Sequence, residues 1–332
     1  MLNAWLIGLG RITYQLEGDK LRLKPCSHIG GVLYANKYVS KRNQIKFSQF
    51  IDCNDKAISD FKKFIGSNPL FSEVCFNDFT FNNKILDNNE NPDIAIIATS
   101  TQSHFDLLTH LIKRQVKKIV IEKPVVQTSS QAKKINKLLK NSSSQLFINY
   151  ERRRHINYKN LKRQIEEKKW GEVLSYNALF ASNQDSLFIN ELYEGALLHD
   201  TTHMLDIVMF LFGEVTKNNF ISKKNCHTLL LTHSEISGEI KTIINASYFQ
   251  FDLRIFFTNA VIEIGNGYFN VRKTVKSKKY SSFHELGNSN SLTKTYSIKE
   301  NPFTQLYLEV IHSEKGSLHI FEALQNIKIL LT

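Results

Sequence analysis

The stretch Ile119-Val120-Ile121-Glu122-Lys123-Pro124 decides the fold, because a short apolar strand ends there in a carboxylate, an amine and a proline. Consecutive apolar, β-branched residues are typical of a strand that is buried on both faces of a parallel sheet. Upstream, residues 93–99 predict a second such strand, and Ser103 to Arg114 predict the helix that joins the two. The alternation predicts consecutive βαβ units.

Near the start of the chain, a strand over Ala4 to Ile7 runs into Gly8-Leu9-Gly10. Such a turn lets backbone N–H groups approach a pyrophosphate, because no Cβ intervenes. The full fingerprint has a third small residue three positions after Gly10, where this chain has Thr13. The match to a dinucleotide-binding turn is therefore partial.

The next strand, Phe47 to Ile51, ends at Asp52. A carboxylate there accepts hydrogen bonds from a ribose diol and repels a 2′-phosphate, so NAD is favoured over NADP. Asp52 lies further from the glycines than the usual spacing of about 20 residues. Residues 14–27 account for this as an insertion, with Ser27 as the N-cap of a helix over His28 to Val39.

The pattern changes after a helix over residues 129–140 and a strand over residues 145–150. A charged helix, residues 155–168, precedes predicted strands at 173–181, from 221 onward, and at 228–232, 240–251, 260–264 and 267–271. The polar run 273–294 is predicted to be strand ends and a loop. The fold class is therefore α/β, with a Rossmann domain (parallel doubly wound sheet) at 1–149 and an α/β domain with an open, mainly antiparallel sheet at 150–332.

Composition excludes several classes of protein. The chain has 332 residues, 42% of them hydrophobic, and a net charge of +12 with the basic residues scattered, which indicates a soluble globular protein without the signatures of nucleic-acid binding. The four cysteines have no regular spacing, so no zinc site or disulfide framework is expected. No apolar run approaches about 18 residues and no signal peptide is evident, so we expect a cytoplasmic protein without a membrane partner.

A second dense cluster lies at residues 195–206, ahead of an apolar helix. His199, His203 and Asp206 are three and four residues apart, so a regular helix would place them on one face. One histidine on an apolar helix is more often a hydrogen-bonded core residue, but two with an aspartate one turn later indicate a functional site.

These motifs, together with Asn91-Pro92-Asp93, resemble the Gfo/Idh/MocA oxidoreductases in order and spacing over most of the chain. The resemblance implies NAD(P)-dependent dehydrogenation or reduction at a CH–OH carbon of a sugar or cyclitol. It implies that Lys123 hydrogen-bonds the reacting hydroxyl beside the nicotinamide, and that His203 takes the hydroxyl proton. Many members have an aspartate four residues before that histidine, where this chain has His199 followed by Asp200. Either His199 or Asp200 replaces it.

The resemblance also implies two sets of binding residues. The predicted cofactor-binding residues are Gly8, Gly10, Arg11, Ile12, Asp52, Thr99, Ser100, Thr101, His104, Glu122 and Lys123, with Ser103 also predicted as a helix N-cap. The predicted substrate-binding residues are Asn149, Tyr150 and Arg153, where an arginine could clamp an anionic group.

The preferred substrate is a nucleotide-sugar of bacterial surface-polysaccharide biosynthesis, since a basic protein attracts anions. The open sheet is expected to be covered in a homodimer or homotetramer. One alternative is a metal-dependent hydrolase or lyase that uses His199 and His203, although no metal is expected in the main interpretation. Another is a non-catalytic NAD-binding sensor or scaffold.

Overall fold

The computed structural model describes residues 1–84, 90–184, 195–313 and 319–330. Its helices are α1 (His28–Asn36), α2 (Asp55–Ser67), α3 (Pro69–Ser72), α4 (Thr101–Lys113), α5 (Ser129–Lys140), α6 (Glu151–Arg154), α7 (Ile156–Glu166), α8 (Thr202–Phe212), α9 (Pro302–His312) and α10 (His319–Leu330). Its strands are β1 (Leu2–Ile7), β2 (Ile45–Ile51), β3 (Cys75–Asn82), β4 (Ile94–Ile97), β5 (Lys118–Ile121), β6 (Gln145–Ile148), β7 (Val173–Ala181), β8 (Lys217–Lys223), β9 (Cys226–His233), β10 (Ile236–Ile243), β11 (Gln250–Phe257), β12 (Ala260–Gly265), β13 (Tyr268–Lys276), β14 (His284–Leu286) and β15 (Asn290–Ser291).

The first of two compact units comprises residues 1–154 and 296–331. Its described strands form a parallel sheet in the order β3-β2-β1-β4-β5-β6. One hydrophobic cluster covers each face of the sheet, so β1, β4 and β5 are buried on both sides. This order is that of a doubly wound Rossmann sheet, and the predicted fold of the N-terminal domain is confirmed.

Residues 14–27, the predicted insertion, form a loop between the glycine turn and α1. The start of α1 lies next to residues 12 and 13, which precede this loop. The N–H of His28 donates to Ile12 O (3.1 Å), and the N–H of Ile29 donates to Thr13 O (3.1 Å). Ser27 caps α1 by accepting from the N–H of Gly30 (3.2 Å), as predicted. The helix therefore starts late but continues the path that residues 11–13 begin.

The C-terminal segment returns to the first unit. Helix α9 packs on α1 and α6, while α10 packs on α5 and β6. The buried side chains of α9, including Leu306 and Val310, complete the cluster on one face of the parallel sheet. The structure thus divides the chain differently from the predicted boundary, because the described apolar side chains of α9 and α10, such as Leu306 and Ile327, are buried against the N-terminal domain.

The second unit comprises residues 155–295. Its described strands form a sheet in the order β14-β13-β12-β11-β7-β10-β9-β8, with β15 beside β13. The pairing is antiparallel except between β10 and β7, which run parallel. Helix α7 contacts α8, and α8 contacts β10, so these helices cover one face and leave the other open. The predicted open, mainly antiparallel sheet is confirmed.

A predicted strand differs from the structure, whereas a predicted helix agrees with it. The predicted strand at residues 240–251 spans the end of β10, residues 244–249 and the start of β11. The predicted helix at residues 155–168 corresponds to α7, with His155 as its N-cap, and the short helix α6 precedes it. No helix among residues 1–84, 90–184, 195–313 and 319–330 is long and apolar enough to cross a membrane.

Candidate functional site

The glycine turn lies at the carboxyl end of β1. The N–H of Gly8 donates to Ile51 O (2.8 Å), and Gly8 has φ +94°, a conformation that glycine adopts without strain. A Cβ at this position would lie 2.6 Å from the carbonyl carbon and oxygen of Ala98. The turn therefore packs against the end of β4 so closely that no other residue fits.

Asp52 lies beside this turn, although 43 residues separate it from Leu9. Its Oδ2 accepts a hydrogen bond from the N–H of Leu9 (2.7 Å), and its Oδ1 accepts one from the N–H of Asn54 (2.9 Å). Each carboxylate oxygen has a further lone pair for a ligand donor. A ribose diol is the ligand that this position in a Rossmann domain recognises.

The backbone around Gly10 fits a dinucleotide. Nothing lies within 4 Å of a Cβ built on Gly10, so the backbone faces open space there. Among the described residues, no hydrogen bond engages the N–H groups of Gly10, Arg11 and Ile12. Thr13 stands where the fingerprint has a small residue, and its buried hydroxyl donates to Gly8 O (2.6 Å). These donors match a pyrophosphate, and Thr13 closes the turn with a hydrogen bond instead of close packing.

Glu122 belongs to a buried hydrogen-bonded network that immediately precedes Lys123. Its Oε1 accepts from Nε2 of His28 (2.9 Å) and from Nδ2 of Asn149 (2.6 Å), and Nδ1 of His28 is 2.7 Å from Tyr307 Oη. Burial raises the pKa of Glu122, but the hydrogen bonds and charges of His28, Asn149 and Lys123 outweigh it and hold that pKa below its usual value. The carboxylate is therefore ionised and anchored, and the half-buried Lys123 follows it in the chain.

His28 and Tyr307 are the residues that sequence reasoning missed. Both side chains are fully buried, and they come from α1 and α9, which are 279 residues apart at this contact. A histidine directly after an N-cap, on a helix that is otherwise apolar, was the one available signal for His28. Nothing in the sequence indicated that Tyr307 would join it.

His104 holds two loops rather than facing a ligand. Its side chain is fully buried, with Nδ1 2.8 Å from Pro124 O and Nε2 3.2 Å from Thr99 O. Burial lowers the pKa of His104, although the two backbone hydrogen bonds oppose the shift. The prediction of His104 as a cofactor-binding residue does not agree with this burial, because both ring nitrogens already face backbone carbonyls.

The loop after β4 begins α4 earlier than predicted. The N-cap is Ser100 rather than Ser103, whose hydroxyl donates to Thr99 Oγ1 (2.8 Å) and to Ser100 O (2.9 Å). Ser100 is exposed and Thr99 half-buried, whereas Thr101 is buried. Thr99 and Ser100 are thus the members of the predicted set with accessible atoms in this loop.

The predicted substrate-binding residues at the end of β6 are buried in the first unit. The exposed fraction is 4% for Asn149, 1% for Tyr150 and 3% for Arg153. Arg153 donates from Nη1 to Glu322 Oε2 (2.7 Å), and Asn149 donates to Glu122. The structure therefore does not support the predicted contacts with an anionic substrate, because the guanidinium holds α10 and the amide holds the Glu122 carboxylate.

In the second unit, His199 and Asp200 form a hydrogen-bonded pair on a π-helical segment, Leu197–Thr201, that leads into α8. His199 Nδ1 is 2.7 Å from Asp200 Oδ1, and the His199 side chain is 50% exposed while that of Asp200 is 14% exposed. The carboxylate of Asp200 is thus the hydrogen-bond partner of Nδ1 of His199. π-Helical turns occur frequently at functional sites.

Buried hydroxyls attach this segment to the sheet. Thr201 Oγ1 is 2.7 Å from Thr242 Oγ1 on β10, and Ser182 Oγ lies 3.5 Å from Asp200 Oδ2. His203 is half-buried, whereas Asp206 is only 1% exposed. His199 lies on the π-helical turn, whereas His203 and Asp206 lie on α8, so the regular helix that the prediction assumed does not extend over all three residues.

The metal-binding alternative lacks a third ligand in the described part of the chain. No group of three or more His, Cys, Asp or Glu side chains there could hold a metal ion. The Nδ1 atom of His199 is instead engaged by Asp200.

Comparisons with known proteins agree with this geometry. Residues 2–150 match the family GFO_IDH_MocA, described as an oxidoreductase family with an NAD-binding Rossmann fold. Over this N-terminal region the chain is similar to the Gfo/Idh/MocA oxidoreductases, whose domain is described as an NAD-binding Rossmann fold.

Among individual relatives, Oxidoreductase P35 of Formosa agariphila is 25% identical over 174 residues, which are 49% of this chain and 53% of that protein. The match thus spans about half the length of this curated relative.

Two solved structures share the fold of both units. One is levoglucosan dehydrogenase in complex with NADH and levoglucosan, at a TM-score of 0.74 and 14% identity, with 99% of this chain and 95% of that chain covered. The other is the WlbA dehydrogenase from Bordetella pertussis in complex with NADH and UDP-GlcNAcA, at a TM-score of 0.70 and 14% identity, with 98% and 92% covered. At these identities, the likeness shows the fold alone.

Proposed function

We propose that this protein is an NAD-dependent dehydrogenase or reductase that acts on a CH–OH carbon of a sugar, with a nucleotide-sugar as the preferred substrate. The observation that carries the proposal is the adjacency of Asp52 and the glycine turn at the carboxyl ends of β1 and β2, together with Lys123 directly after β5. Levoglucosan and UDP-GlcNAcA, in the two similar structures, are a sugar derivative and a nucleotide-sugar. NAD, when bound, supplies the hydride acceptor.

The roles of the side chains follow from their chemistry. Lys123 donates a hydrogen bond to the oxygen of the reacting hydroxyl and favours its loss of a proton. His203 takes that proton as the hydride leaves the carbon, since imidazole has a near-neutral intrinsic pKa. His199 and Asp200, where many relatives have an aspartate, orient the substrate hydroxyl. The network around Glu122 keeps the backbone that presents Lys123 in one conformation.

A second assignment of the base is favoured by one observation. His199 has a carboxylate partner at Nδ1 and a side chain that is 50% exposed, and a histidine oriented by a carboxylate is the arrangement of a general base. The two assignments separate in the pH dependence of kcat/KM. If His203 is the base, His203→Ala removes the acidic limb of the profile, whereas His199→Ala leaves it; if His199 is the base, the result is reversed.

The proposed function is tested by titrating the purified protein with NADH and NADPH while nicotinamide fluorescence is followed. The NADH-bound and NAD-bound forms are then tested against UDP-sugars, free sugars and inositols. We expect tight NADH binding and turnover of one nucleotide-sugar. Binding without turnover of any panel member would favour the sensor or scaffold alternative. Absence of dinucleotide binding would contradict the proposal.

We also propose that the open face of the second unit's sheet forms a homo-oligomer interface. This face carries a depression of about 550 Å³ and side chains of both signs, including the pairs Arg254–Glu263 and Lys241–Glu239. Mixed charges allow an isologous contact, in which a basic residue of each subunit contacts an acidic residue of the other. Sedimentation velocity of wild type and Arg254→Glu tests this, and a monomeric wild type would contradict it.

A further inference from the structure

Residues 272–286 form a two-stranded hairpin, here called the basic hairpin. The end of β13 pairs with β14 through Thr274–Leu286, Val275–Glu285 and Lys276–His284. The turn between the strands has a defined shape. Ser277 N–H donates to Phe283 O (3.0 Å), and Ser277 Oγ accepts from the N–H groups of Lys279 (3.1 Å) and Tyr280 (3.2 Å). The polar run that was predicted as strand ends and a loop thus contains the end of β13, the short strands β14 and β15, and the turns between them.

The charge of the basic hairpin is one-sided. It contains five basic side chains and one carboxylate, Glu285. Arg272 donates to the carbonyl oxygens of Gly287 and Leu286, and Lys273 lies over the Trp170 ring (5.2 Å). The remaining three, Lys276, Lys278 and Lys279, are exposed and make no ion pair with any residue that the structure describes. Three ammonium groups therefore lie within residues 276–283, here called the tip of the basic hairpin.

Two aromatic rings share this tip. Tyr280 and Phe283 are each 65% exposed, and their ring centroids lie 6.2 Å apart in an edge-to-face contact. Val275, on the adjoining strand, is 44% exposed. Clustered apolar side chains that are exposed and rimmed by polar groups mark an interaction site.

We propose that the basic hairpin binds the surface of an anionic lipid bilayer. Tyr280 and Phe283 enter the headgroup region, which aromatic side chains favour because it is apolar on one side and wet on the other. Lys276, Lys278 and Lys279 stay at the lipid phosphates, where each contributes about 1 kcal/mol, or roughly a fivefold gain in affinity. A contact of this kind needs no spanning helix, and it is independent of the proposed dehydrogenase reaction.

Charge and geometry favour a bilayer over two other occupants. In a symmetric contact, a second copy would place its own Lys276, Lys278 and Lys279 against the same three lysines, and these like charges would repel each other. Single-stranded nucleic acid stacks its bases on ring faces arranged along a basic groove. Here the two rings contact each other edge to face at the end of a hairpin. They form one small apolar cluster and not a row of ring faces on which successive bases could stack.

The experiment is sedimentation of the full-length protein with vesicles of phosphatidylcholine alone and of phosphatidylcholine mixed with phosphatidylserine. We expect binding to the mixed vesicles only, weakening as salt is added. The triple variant Lys276→Gln, Lys278→Gln, Lys279→Gln should bind on the order of 100-fold more weakly, from about fivefold per lysine. Tyr280→Ser with Phe283→Ser should lose roughly tenfold through the lost apolar burial.

A matched control has the same change in net charge elsewhere. Lys133, Lys137 and Lys140 are exposed on α5, and their triple change to Gln should leave vesicle binding near the wild-type value. An equal loss in this control would overturn the proposal, because net charge alone would then explain binding. Failure of the wild type to bind mixed vesicles, or retention by single-stranded poly-uridine in their place, would also overturn it. Circular dichroism of each variant checks that the fold is intact.

Discussion

The two units hold their functional groups in different ways. In the first unit, strand ends, a positive-φ glycine and a buried carboxylate network determine the positions of Asp52, Glu122 and Lys123. In the second unit, His199 and Asp200 lie on a half-exposed π-helical turn, attached to the sheet through threonine and serine hydroxyls. The proposed cofactor-binding residues are thus positioned mainly by backbone geometry, and the proposed substrate-binding residues mainly by side-chain hydrogen bonds. Substitutions alter exposed side chains more easily than they alter backbone geometry, so proteins with one fold can act on many different substrates.

The largest effect is expected when the side chains assigned to the chemical step, one in each unit, are removed. Lys123→Met and His203→Ala should each lower kcat by roughly 10²- to 10⁴-fold, because each removes a group that acts on the reacting hydroxyl. NADH affinity should stay near the wild-type value. Steady-state kinetics on the substrate found in the panel, with NADH titration of each variant, measures both. Loss of NADH binding in His203→Ala would contradict the assignment of this histidine to the substrate.

A matched pair of glycine variants tests whether backbone geometry governs the cofactor side. Gly8→Ala should destabilise the fold by roughly 2–4 kcal/mol, because its Cβ would meet the Ala98 carbonyl in a positive-φ conformation. Gly10→Ala should leave stability nearly unchanged and weaken NADH binding, because its Cβ would enter the open space that we assign to the pyrophosphate. Urea unfolding and NADH titration separate the two effects. Equal stability losses would contradict the distinction.

The buried network below Lys123 predicts a pH-dependent contribution to stability. Glu122→Gln should cost roughly 1–3 kcal/mol near neutral pH, because a buried charge-assisted hydrogen bond is lost. The pKa of Glu122 lies below the unfolded value of about 4.5, so the carboxylate stabilises the folded protein above that pH. This contribution is lost as the pH falls through the folded pKa. Urea unfolding at neutral and acidic pH should show the two proteins converging in acid, and a constant difference would contradict the linkage.

The smallest expected effect concerns cofactor choice. Asp52→Ala should shift the ratio of NADH to NADPH affinity by roughly tenfold toward NADPH, because the carboxylate no longer repels a 2′-phosphate. Asp52→Asn is the matched control, since its amide oxygen keeps an acceptor for Leu9 N–H without the charge. An unchanged ratio in both variants would show that Asp52 does not lie at the ribose.

Periodic segments were predictable from the sequence, and junctions were not. Helix α5 and strand β7 have the predicted bounds, because each combines regular apolar spacing with clear end signals. The strand predicted at residues 240–251 merged β10 with β11, since apolar residues continue through the turn that separates them. The π-helical turn at residues 197–201 was invisible to a helical-face argument, which assumes a constant angle per residue.

By itself, the sequence determined the parallel sheet, the glycine turn, the acidic strand end and the resemblance to a family of oxidoreductases, because these depend on local periodicity and short motifs. Only the tertiary structure decided that Asn149, Tyr150, Arg153 and His104 are buried, and that His28 and Tyr307 support Glu122. It also decided that the C-terminal helices join the first unit and that scattered lysines and aromatics converge on one hairpin tip. The physical reason is that burial and long-range hydrogen bonds depend on which segments meet in space, which local patterns do not specify.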